Sequence, residues 1–74
     1  MSESRAALDA ALLDAHEADD REQLVRLYMQ AADQANDVDA ECFYLTHAYV
    51  FALQTGAPEA GALHARLKAH GREE

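Results

Sequence analysis

Four histidines, one cysteine and a tight group of carboxylates are the residues of this chain with chemistry to offer. His16, His47, His64 and His70 would grip a metal from one helix only if two of them stood three or four positions apart, and no pair does. Asp20 follows His16 by four positions, but it falls beyond the expected end of the helix that carries His16. The run Asp37-Val38-Asp39-Ala40-Glu41 alternates carboxylates as the opening of a calcium loop does. Cys42 then stands where such a loop turns on Gly, and Ala48 where its closing bidentate Glu belongs. Cys42 would need a base to act as a nucleophile, and His47, the nearest imidazole in sequence, sits about 140° away round a helix. No Gly-rich phosphate loop and no Ser-centred elbow occurs. The expectation is a protein without metal, cofactor or catalysis.

The elements that hold these residues are helices. Leu8, Ala11, Leu12 and Ala15 recur at three- and four-residue spacing, which predicts a first helix over about 4–16 capped by Ser2 or Ser4. Asp19 and Glu22 stand three apart, as a capping pair does, and open a second helix over about 20–35 with Leu24, Leu27, Tyr28, Ala31 and Ala35 inward. Asp37 or Asp39 caps a third helix over about 38–55, the most apolar and aromatic of the set. Gly56 closes it in the left-handed region, and Pro58 starts a fourth over about 58–70 with the narrow stripe Ala60, Leu63, Leu67. The fold class is therefore all-α, one domain over 1–74 made of four short antiparallel helices. The large side chains expected in its core are Leu8, Leu12, Leu24, Leu27, Tyr28, Tyr44, Leu45, Tyr49, Phe51, Leu53, Leu63 and Leu67.

Seventy-four residues form one small domain, which buries only about 60% of the surface its unfolded chain exposes. The formal net charge is -8, and eleven acids against Arg5, Arg21 and Arg26 place all of it in residues 1–41. Such a surface repels phosphate backbones and anionic lipid, which argues against nucleic-acid and membrane-surface roles and for a partner with a basic segment. Solvation of an Ala-rich chain is the plainer use of the same acids. Cys42, the only cysteine, has no intrachain disulfide partner, and a lone thiol in the most apolar helix fits a reducing compartment. With no hydrophobic signal core after Met1 and no apolar run near the roughly 20 residues of a membrane span, a cytoplasmic location is expected.

The helix breaks at Asp19, Asp37 and Gly56 are 18 and 19 residues apart, so two helices make a unit of about 37 residues. Within it, Leu24-Val25-Arg26-Leu27-Tyr28-x-x-Ala31-Ala32 resembles the Leu-x-x-x-Tyr and Tyr-x-x-Ala-Ala spacing of Sel1-like and tetratricopeptide repeats. Gly56-x-x-x-Ala60 resembles their repeat start, and Phe43-Tyr44-x-x-His47-Ala48 echoes the same block. The resemblance covers about Leu24 to Leu67, with Val25 in place of the usual small residue. It implies a repeat-like right-handed helical stack that binds proteins and carries no catalysis.

On the third helix, 100° per residue gathers Leu45, Ala48, Tyr49, Ala52 and Leu53 on one broad side. Asp39, Phe43, Thr46, His47, Val50 and Gln54 fall on the other, mixing polar with apolar groups. This stripe is the candidate partner-binding face, and Val25 and Met29, off the main face of the second helix, are a weaker second one. The expected function is an adaptor or regulatory subunit that binds another protein. Its rivals are a structural homodimer formed through the 38–55 helix and a His47-dependent pH or metal sensor.

Overall fold

A computed structural model describes residues 2–72, with side chains from position 6 onward. It consists of four helices, α1 (Ser2–Ala18), α2 (Arg21–Gln34), α3 (Val38–Thr55) and α4 (Glu59–Ala69), with no strand among the described residues. The chain is all-α, as the hydrophobic periodicity requires. The cap expected from Ser2 or Ser4 lies outside the described side chains.

The first connection differs from the expected Asp19–Glu22 pair by one residue. α1 continues to Ala18, and Asp19 takes the left-handed conformation at φ 55°. There its amide donates to the His16 carbonyl at 3.1 Å and the Asp20 amide donates to the Ala15 carbonyl at 2.9 Å, the double closure of a helix C-terminus. Asp tolerates this backbone better than most side chains. Asp20 is then left to cap α2, accepting from the Gln23 amide at 3.3 Å.

The other connections follow their sequence signals. Asp37 caps α3 through a 2.8 Å bond accepted from the Ala40 amide, with Asp39 and Glu41 in the positive first turn of the helix. Gly56, at φ 69°, ends α3, and Pro58 stands immediately before α4.

Short loops return each helix beside its predecessor. The last turn of α2, the first turn of α3 and the end of α4 meet at one edge, where Arg66 reaches both Asp33 (3.0 Å) and Glu41 (3.1 Å). α3 accordingly runs opposite to α2 and α4. Two apolar clusters share α2 and α3. Val25, Ala32, Cys42, Leu45, Ala48, Ala52, Leu63 and Leu67 join α2, α3 and α4. Leu8, Ala15, Leu24, Leu27 and Ala31 join α1 to α2, with Tyr28, Tyr44 and Phe51 bordering both clusters. Ala48 and Ala52 are fully buried, so the backbones approach closely without large side chains between them.

The extents are 34 × 27 × 14 Å. Since packed helix axes lie about 8–10 Å apart and backbone radii add about 2.3 Å on each side, 14 Å is two helices deep. Every helix in such a slab keeps an outward face. Among the described residues no helix is long and apolar enough to cross a membrane.

Candidate interaction face on α3

The outward face of α3 carries large apolar side chains among polar ones. Phe43 is 57% exposed and Val50 44% exposed, while Asp39, Thr46 and Gln54 beside them are also exposed and His47 is half-buried. Leu53, expected in the core, is 58% exposed and extends the stripe toward the C-terminus of the helix. It lies seven residues beyond Thr46, two turns along, and therefore on the same side. Leu45, Ala48 and Ala52 face the core from the opposite side, and Cys42, close in angle to Leu53, is buried at the edge of the stripe.

The polar groups of the stripe are turned onto their own helix. Thr46 Oγ1 donates to the Cys42 carbonyl at 2.8 Å, and His47 Nδ1 lies 2.8 Å from the Phe43 carbonyl. A carbonyl only accepts, so the proton sits on His47 Nδ1 and fixes the ring's orientation. The imidazole is held further by rings, with centroids 4.5 Å from Phe43 and 5.1 Å, stacked, from Tyr28. From Phe43 to Leu53 what remains outward is largely hydrocarbon and ring surface, with the exposed Asp39 and Gln54 at its two ends. Two shallow depressions mark the stripe, one framed by Asp39, Cys42, Phe43, Thr46, His47 and Arg72, the other by Thr46, His47, Val50 and Phe51.

The second candidate patch is not a surface. Val25 is 1% exposed within the α2–α3–α4 cluster, and Met29 is half-buried against the same cluster. α2 is clasped on two sides, so it needs two apolar faces. Leu24, Leu27 and Ala31 meet α1, and Val25 and Ala32 meet α3 and α4. The residues that the sequence reading left out of the site are the rings beneath the stripe. Tyr28 stacks on Phe51 at 6.0 Å, packs beside Tyr44 at 6.3 Å, and its hydroxyl lies 2.8 Å from His16 Nε2. Burial raises the Tyr28 phenol above its ordinary pKa, with the Tyr44 phenol adding to the shift. Phe43, His47 and Phe51, at four-residue spacing, were the only local signal for this ladder.

The carboxylates of the acidic run have structural partners. Asp37 is the α3 cap, Asp39 pairs with Arg72, and Glu41 receives Arg66 at 3.1 Å and His70 Nε2 at 3.2 Å. Hydrogen bonds from His70 and then Arg66 hold the Glu41 carboxyl below the usual carboxylate range. The hydrogen bond that Arg72 donates to Asp39 raises its guanidinium above the ordinary value. The chain thus folds two of the cations of its balanced half onto its acidic half. No cluster of three or more His, Cys, Asp or Glu side chains spaced for a metal occurs among the described residues, and Cys42 is buried. In comparisons with known proteins, no family model, no curated protein and no solved structure matches this chain.

Proposed function

We propose that the chain is a small helical protein–protein interaction module, an adaptor or regulatory subunit without catalysis, that docks through the outward stripe of α3. One observation carries the reading: Phe43, Val50 and Leu53 stand about half-exposed in a row on one helix, while the polar groups among them are satisfied by their own backbone. A row of uncovered large side chains in so small a domain is the usual mark of a contact site. Its flanking rings, stacked into a rigid ladder, give such a contact a preorganised floor at low entropic cost. The Sel1-like and tetratricopeptide-like spacing of Leu24, Tyr28, Ala31 and Ala32 supports the same class of function. The surplus of acids outside the α3 stripe favours a partner that also carries a basic segment.

Paired affinity capture from native extract, with the wild-type chain and His47→Ala/Val50→Ser as baits, tests the reading. Partners retained by the first and lost by the second, with helicity unchanged, are the expected result. Identical captures would overturn it.

A further inference from the structure

We propose that the stripe of α3 pairs with the same stripe of a second copy, in an antiparallel two-fold arrangement centred on Ala48. This rests on the reading of the stripe as a docking face and names its occupant. Phe43, Thr46, Val50 and Leu53 are spaced three, four and three residues apart, the repeat with which one helix seams against another. All four side chains are exposed.

The row is also its own complement. Phe43 and Leu53 stand five residues either side of Ala48, and Thr46 and Val50 stand two either side. Laid antiparallel on a copy of itself, the helix therefore sets Phe43 against Leu53 and Thr46 against Val50, twice over, as an isologous contact requires. The Phe43–Leu53 layers at the two ends are wider than the Thr46–Val50 layers between them, but by less than the spread a parallel pairing would give. Pairing in parallel would set Phe43 against Phe43 and Thr46 against Thr46, wide and then narrow.

Charge points to the same occupant. From Cys42 to Pro58 the sequence contains no Asp, Glu, Lys or Arg, although the chain as a whole carries a net charge of -8. Asp39, at the N-terminal end of the stripe, is paired with Arg72, and α3 from Cys42 onward carries no charge, so a second equally acidic copy meets a neutral surface along the seam. A basic segment would meet on this face of α3 only the Asp39 carboxylate, already paired with Arg72. The antiparallel arrangement also sets opposite helix dipoles side by side. Three large side chains are a small centre beside the roughly 20–30 residues a side of a standard interface, so the dimer is reversible and concentration-dependent.

Sedimentation of the full chain across a dilution series gives the mass, and Val50→Glu should move the monomer–dimer midpoint at least tenfold toward higher concentration without loss of helicity. Register is read by oxidising Thr46→Cys mixed with Val50→Cys. The mixture should yield several-fold more cross-linked dimer than either variant alone, whereas cross-linking of Thr46→Cys with itself would overturn the antiparallel register. A wild-type chain that stays monomeric throughout overturns the dimer and leaves the docking face for another partner. A Val50→Glu chain that unfolds would mean that the stripe is core, and both readings fall.

Discussion

Leu45 has no exposed surface and lies in the cluster that α2, α3 and α4 share. Cutting it back to Ala removes buried methyl groups where three helices meet, and the expected loss is about 2–5 kcal/mol in a urea or thermal unfolding experiment. A loss under about 1 kcal/mol would mean that the core lies elsewhere. Its neighbours on the other side of α3 behave in the opposite sense. Thr46 and His47 are polar by type, yet each spends its hydrogen-bonding capacity on a carbonyl four residues back. Leu53 shows the reverse mismatch, a large aliphatic group outside the core. The helix projection sets it at the margin of the inner side with Leu45 and Tyr49, yet only 20° from Thr46 two turns earlier, and at that margin it falls outside the core. Periodicity gave the inner row of Leu45, Ala48 and Ala52 directly. What no single-helix projection contains is the identity of the neighbour, so neither the burial of Val25 nor the Tyr28 ring ladder is legible from one helix.

Helix ends carry most of the polar order in this chain. Asp20, Asp37 and Gly56 terminate helices as their residue types require, and these positions were legible to within one residue. The contacts that α4 makes were not. Arg66 bridges Asp33 at the end of α2 and Glu41 at the start of α3, and His70 joins the same carboxylate. Arg66 and Glu41 are 25 residues apart, and nothing local announces their pairing. The pH dependence follows from Glu41. Its folded pKa lies below the ordinary glutamate value of about 4.5, so its contribution to stability is present above about pH 4.5 and is lost as the pH falls through the lower folded value. Melting temperature should therefore decline on acidification below about pH 4.5, with Glu41→Gln less stable than wild type at neutral pH and less sensitive to that decline. Parallel melting curves for the two chains would remove Glu41 from the account.

As a molecule this is a slab two helices deep, with α2 and α3 holding the core and each helix presenting one face outward. That shape was readable as four amphipathic segments and three breaks, and it explains why the most apolar helix is left partly uncovered. α3 faces α2 on one side and α4 on another, and no fifth helix among the described residues covers the rest. If the outward stripe is surface held for a contact and not a core that happens to be thin, its apolar side chains can be removed without unfolding the chain. Thermal unfolding of Phe43→Ser/Val50→Ser, beside wild type at a concentration low enough for both to be monomeric, tests this directly. Each substitution touches a side chain about half in solvent, so the expected change is near the ±0.5 kcal/mol of ordinary surface positions, or less than about 4 °C in Tm. A fall of about 10 °C or more would show that Phe43 and Val50 hold the fold together, and would contradict a docking face on α3.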